Sequence, residues 1–145
     1  MIDFKRLRLL IREDERLQWA VEKAEARATR SSSSITGMPR GGRSGNKMED
    51  DTIIIVELKE KHLEITTELE QQRKELERAL KKVADPNQYL ALRMRYIRGK
   101  KLREIEIAMN YSERSIIRFL ESGERKVMEI QKQKRRPGKV GGSWQ

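Results

Sequence analysis

Between Ile55 and Val83 the apolar side chains recur at alternating intervals of three and four residues. Ile55, Leu58, His62, Ile65, Leu69, Gln72, Leu76, Ala79 and Val83 form this seam, and seven of the nine positions are apolar. Such spacing keeps one face of an α-helix apolar and does not suit a strand, whose faces alternate every second residue. Asp50 or Asp51 is placed to cap the helix start, with acidic groups at the positive end of the dipole. A helix over residues 50–83 is about 50 Å long. It cannot bury its seam alone, so it needs a partner: the first helix of the chain folded back on it, a second copy, or both. The run Ile53-Ile54-Ile55-Val56 is β-prone in composition, but it heads the seam and is expected to be helical.

A second seam lies upstream. Over residues 2–28, Leu7, Leu10, Asp14, Leu17, Val21, Ala24 and Ala28 fall at the same intervals, and six of these seven are apolar. Residues 1–30 carry 8 basic and 6 acidic groups. A membrane-surface helix has a stronger basic excess, so this helix is expected to bury its seam on a neighbouring helix. Residues 29–48, TRSSSSITGMPRGGRSGNKM, hold Ser, Gly, Pro and Arg without a period and read as a linker. The phosphate-cradling pattern G-x-x-x-x-G-K-S/T does not occur there. Arg40, Arg43 and Lys47 give this linker a positive charge, which a solvated segment also carries.

With 36% hydrophobic and 39% charged residues, the composition fits long solvated helices with narrow apolar seams and not one large core. Cysteine is absent, which excludes disulfides and thiolate metal sites and is compatible with a reducing cytoplasm. No apolar run approaches the roughly 18 residues of a membrane span. The opening MIDFKRLRLLIRED has no small-residue cleavage site and is not expected to be a signal peptide. Two Phe, three Tyr and two Trp are too few for aromatic stacking along a single strand of nucleic acid.

Residues 85–131 follow a different plan. Asp85 before Pro86 is a helix start, since Asp caps free N–H groups and Pro is tolerated at the first position. That helix is expected to end at Gly99. A short helix over 102–109 places Leu102, Ile105 and Met109 on one face. Asn110 suits the left-handed position that ends a helix, and Ser112 is a good cap for the next one. Ile116, Phe119 or Leu120, Gly123, Val127 and Ile130 continue at helical spacing. Two helices joined by a tight turn and braced by a third are how DNA-reading modules offer a helix to the major groove. The alternative is an αα-hairpin that packs on a protein and touches no DNA. Charge favours the first reading: residues 87–145 hold 15 Lys and Arg against 6 Asp and Glu, while residues 49–86 hold 7 against 11. The tail from Lys132, KQKRRPGKVGGSWQ, is basic and then Gly-rich, and is expected to be disordered.

The expected fold is therefore all-α: a helix over 1–28, a linker over 29–48, a long coiled-coil-like helix over 49–84, a three-helix helix-turn-helix domain over 85–131, and a tail over 132–145. If Ile116 faces the core, Glu113, Arg114, Ser115, Ile117 and Arg118 face outward as candidate base contacts. An Arg grips guanine with two hydrogen bonds, and a Glu accepts from cytosine. Arg98, Lys100, Lys101, Arg103 and Ser112 are candidate phosphate contacts, which position without specifying sequence. Ile55, Leu58, His62, Ile65, Leu69, Gln72 and Leu76 are the candidate oligomer seam of a homodimer through the long helices. His62, the lone histidine, lies on that seam, where a polar residue sets register. No convergent nucleophile, acid–base pair, metal site or cofactor motif is present, so no enzyme activity is expected.

The stretch LALRMRYIRGKKLREIEIAMNYSERSIIRFLESGERKV resembles the C-terminal helix-turn-helix of sigma factors, and more closely phage transcriptional regulators of the ArpU and RinA type. The likeness rests on Leu92, Arg95-Tyr96-Ile97, Gly99, Ile105, Tyr111-Ser112, Ile116, Arg118 and Phe119, and with TGMPRGG at 36–42 it covers roughly residues 30–130. The resemblance implies a phage or prophage activator of late genes in the bacterial host cytoplasm, binding double-stranded promoter DNA and contacting RNA polymerase. A factor acting on polymerase without its own DNA site, or a small terminase-like DNA-packaging subunit, are the alternatives. The chain departs from the pattern at Glu106, where such modules keep Ala or Gly for close helix crossing, and at Gly123-Glu124, which replace an Ala-Leu pair.

Overall fold

The two seams produce two long helices and the remainder three shorter ones. The computed structural model describes residues 1–35 and 43–134, with side chains at 1–30 and 49–133. These residues are all-helical: α1 (Phe4–Ile35), α2 (Arg43–Leu80), α3 (Pro86–Leu92), α4 (Leu102–Met109) and α5 (Glu113–Lys134), with a π turn at Arg93–Ile97 continuing α3. The chain forms two compact units. Leu9–Leu69 is one; Met1–Arg8 and the chain from Glu70 onward make the other.

In the Leu9–Leu69 unit the seams meet each other. Leu10, Leu17, Val21 and Leu69 are buried. Asp14, the polar position of the α1 seam, accepts from His62, the polar position on α2, at 3.0 Å and from Thr66 Oγ1 at 2.8 Å. A single satisfied polar pair in an apolar seam fixes register, because sliding either helix by a turn would strand both groups. Lys59 and Glu25 add an exposed ion pair at 3.7 Å. On this seam His62 meets α1 of the same chain at Asp14, Ile55, Leu58 and Ile65 are half-buried, and Leu69 is buried. Gln72 and Leu76 fall in the other unit, where Leu76 is fully buried and Gln72 half-buried.

The helix bounds differ from the sequence expectation at several points. α1 continues past Ala28 to Ile35. Ser and Thr cost a helix only about 0.5 kcal/mol each relative to Ala, and extending a packed helix needs no new nucleus. Thr29 bonds its hydroxyl to the Glu25 carbonyl at 2.9 Å and so stays within the helix. α2 already begins at Arg43, so Asp50 and Asp51 are interior residues and not its cap. Residues 36–42 of the expected linker and 135–145 of the expected tail lie outside the described residues. α2 ends at Leu80, where the N–H groups of Lys82 and Val83 bond to the carbonyls of Ala79 and Leu80 in a tight turn.

The other unit is built around α5. Its core includes Phe4, Leu7, Leu76, Leu80, Leu92, Tyr96, Ile105, Ile116, Leu120 and Val127. Asp85 caps α3, its Oδ1 accepting from Asn87 N at 2.9 Å and Gln88 N at 3.4 Å. α3 and α4 both pack on α5. At Gly123 the helices come close: a Cβ there would sit 2.8 Å from Leu92 Cδ1. The small residue needed for a close crossing is thus on α5, while Glu106 on α4 is half-exposed.

The helix expected to run to Gly99 instead loosens into the π turn, with Arg98 N bonding to Arg93 O at 3.0 Å and Lys100 N to Met94 O at 2.9 Å. Gly99 has φ 65°, a left-handed conformation that glycine adopts without strain. The Tyr96 carbonyl at this helix end accepts from Arg73 Nε at 2.7 Å. The Tyr96 side chain is buried against Phe4, with ring centroids 5.1 Å apart. Its hydroxyl donates to Glu124 Oε2 at 2.7 Å and accepts from Arg8 Nη1 at 2.8 Å. Burial, reinforced by the bond to Glu124, pushes the Tyr96 hydroxyl well above the ordinary tyrosine range. Burial opposes the Arg8 charge, but the hydrogen bonds and fields of Tyr96 and Glu124 outweigh it and hold the guanidinium more firmly protonated than usual.

Candidate nucleic-acid interface

α4 and α5 are joined by residues 110–112, and each of the three has a distinct physical task. Asn110 takes φ 58°, ψ 46° and closes α4, its N–H bonding to Glu106 O at 2.8 Å. Asn adopts this left-handed conformation more readily than other non-glycine residues. Tyr111 places its ring edge-on against Phe119, 4.9 Å between centroids. Ser112 starts α5: its Oγ accepts from Ser115 N at 3.3 Å, and its carbonyl from Ile116 N at 3.0 Å. Ile105 and Ile116, one from each helix, are both 0% exposed. The turn is therefore fixed by a backbone bond at Asn110, a side-chain cap at Ser112 and apolar residues beneath.

Outward from this support lie most of the residues singled out from the sequence. Glu113, Arg114, Ile117 and Arg118 are exposed on the first turns of α5. Among the described residues, Arg114 and Arg118 have no ion-pair or hydrogen-bond partner for their guanidinium groups. Ser115 is half-buried, and its Oγ lies 3.2 Å from the Ser112 hydroxyl, so the two serines are engaged with each other at the helix start. Arg98, Lys101 and Arg103 are exposed on the loop and the first turn of α4. Lys100 is half-buried, pairs with Glu104 at 3.8 Å, and has its carbonyl 3.5 Å from Arg95 Nη1. Lys101 N donates to Glu104 Oε1 at 3.0 Å, which satisfies one free amide at the start of α4.

Two features escaped the sequence. Ile107, on α4, is 73% exposed. The Arg8–Tyr96–Glu124 cluster joins residues too far apart in sequence for any local pattern to reveal it. Among the described residues no three His, Cys, Asp or Glu side chains are placed to hold a metal ion, and no helix is long and apolar enough to cross a membrane.

A family profile matches residues 29–134, which is most of the chain. The chain belongs to the DUF1492 family. That family is described as proteins of unknown function. No curated protein and no solved structure matches the chain. The DUF1492 span takes in all of α2 to α5, including every candidate residue from Arg98 to Arg118. It leaves out residues 1–28, although Phe4 and Leu7 are buried in the unit that carries those candidates.

Proposed function

We propose that this DUF1492 protein is a DNA-binding regulator of transcription, which lays the first turns of α5 in the major groove of promoter DNA and grips the flanking phosphates from the loop before α4. The observation that carries this reading is the pair of exposed guanidinium groups of Arg114 and Arg118, which have no partner among the described residues and lie four residues apart on one face of a helix whose start is capped. Unpaired cations on a fixed scaffold are available to phosphates and base edges without first breaking an internal bond. In this reading α4, the turn and α5 act as a helix-turn-helix. The resemblance to ArpU and RinA regulators adds the context: a phage or prophage activator of late genes working in the bacterial cytoplasm. The role is binding, with no reaction and no cofactor.

Duplexes selected from a random library by the purified protein test this. Arg114→Ala with Arg118→Ala removes two contacts worth about 1–3 kcal/mol each, so affinity for the selected duplex should fall by roughly 30-fold or more while helical circular dichroism is unchanged. Unaltered enrichment and affinity in the double variant would overturn the assigned face.

Ile107 favours a second reading, in which α4 meets a protein such as RNA polymerase. Ile107, 73% exposed on α4, is the side chain such a contact would bury. Gel shifts that appear only when polymerase is added, and that Ile107→Lys abolishes, would favour it.

A further inference from the structure

The Leu9–Leu69 unit carries a two-sided surface that neither the DNA reading nor the seam uses. Trp19 on α1 is 61% exposed, and Ile54 on α2 is 49% exposed. They line one open groove of about 430 Å³, together with Lys23, Arg27, Arg30 and Asp51. The two walls differ in charge. On α1, Arg12, Arg16, Lys23, Arg27 and Arg30 fall at three- and four-residue steps, or multiples of them, around Trp19, as do Glu15 and Glu22, which leaves that face net positive. On α2, Asp50, Glu57 and Glu64 flank Ile54 at the same kind of spacing, as does Lys61, which leaves that face net negative. A net basic wall and a net acidic wall thus border one apolar centre.

We propose that this groove is the interface of a homodimer, occupied by a second copy of the chain. The argument is self-complementarity. A two-fold axis running along the two helices, between the copies, sets α1 of each copy across from α2 of the other. Each basic wall then meets an acidic wall, and the Trp19 and Ile54 side chains of both copies share the centre. A foreign partner of a single charge would match one wall and repel the other. This surface is distinct from the contact that α1 and α2 make through Asp14 and His62, and it does not depend on the DNA reading.

The test is solution mass by sedimentation equilibrium on the full chain, with circular dichroism to check folding. The wild type should show a two-chain mass at micromolar concentration, where a dissociation constant near 1 μM corresponds to about −8 kcal/mol of association. Trp19→Glu should weaken the dimer at least tenfold. Lys23→Glu with Arg27→Glu reverses the charge of the α1 wall where it lines the groove, and Asp50→Lys with Glu57→Lys reverses the charge beside Ile54 on α2. Each of these variants alone should be monomeric, and the two mixed should form a one-to-one heterodimer. In a Trp144→Phe background, Trp19 is the sole tryptophan, and its emission should shift to the blue as the dimer forms. A wild type that remains monomeric at about 100 μM, a Trp19→Glu variant that keeps the wild-type association constant, or reversed-charge variants that fail to pair when mixed would each overturn the proposal.

Discussion

Replacing Gly123 by alanine sets two well-characterised effects against each other. In an exposed helix the exchange stabilises by about 1 kcal/mol, because glycine loses more backbone freedom on folding. At position 123 the new Cβ would meet Leu92 Cδ1 at 2.8 Å, Leu92 Cγ at 3.1 Å and Gln88 Cβ at 3.4 Å. Leu92 is fully buried, so its methyl group has no solvent to swing into. Forcing an extra carbon into a filled core costs about 1–3 kcal/mol. The net expectation is a loss of about 0–2 kcal/mol, opposite in sign to the exposed-helix effect. Urea denaturation followed by circular dichroism measures it. The decisive arm is the double-mutant cycle with Leu92→Ala, which deletes both clashing Leu92 atoms and by itself costs about 2–5 kcal/mol. In that background Gly123→Ala should stabilise, giving a coupling energy of about 1–3 kcal/mol between the two sites. A Gly123→Ala variant that raises the urea midpoint equally in both backgrounds would refute the close crossing of α3 and α5.

Tyr96→Phe removes a hydroxyl that serves both Arg8 and Glu124 and should cost about 1–2 kcal/mol, read as a lower urea midpoint. Because the Tyr96 hydroxyl keeps its proton beyond the ordinary range, the unfolded chain ionises first; stability should hold below pH ~10 and fall by up to 1.4 kcal/mol per pH unit above it, a contribution that Tyr96→Phe abolishes. Asn110→Gly should be nearly neutral, whereas Asn110→Val should destabilise by about 1–2 kcal/mol in thermal or urea melts, since a branched Cβ is crowded at positive φ. If the loop before α4 grips phosphates, changing Arg98, Lys101 and Arg103 together to alanine should lower the slope of log affinity against log salt by about 3 in anisotropy titrations.

Signals confined to a few neighbouring residues were readable in advance. Asp85 with Pro86, Asn110, and Ser112 each act through their own backbone neighbours, and the structure places a cap at each of these positions. The buried face of α5 at Ile116, Leu120, Val127 and Ile130 was equally plain, since helical period alone decides it. The π turn was not, because its loosened end is supported by Arg73 from α2, a tertiary contact. Nor was the continuation of α1 through its serines, whose weak propensity loses to an existing helix. The seam itself was legible but its occupant was not: periodicity says that a face must be covered, not by which chain. Among the candidate contacts, the exposure of Arg114 and Arg118 follows once Ile116 is set inward. The local engagement of Ser115 and the ion pair of Lys100 depend on rotamers that no spacing encodes.

The bond between Ile2 N and Gln131 Oε1 closes a span of 129 residues, whereas Asp14 and His62 are 48 apart. Chain-closure entropy makes the longer closure less favourable by roughly 1 kcal/mol from an unfolded chain. The hairpin of α1 and α2 is therefore the natural first event, and its pairing shortens the loop that remains. During synthesis the hairpin sequence is complete well before α5 emerges. Ile2, Phe4 and Leu7, which finish the core beneath α5, stay bare apolar surface until the residues as far as Gln131 have been made.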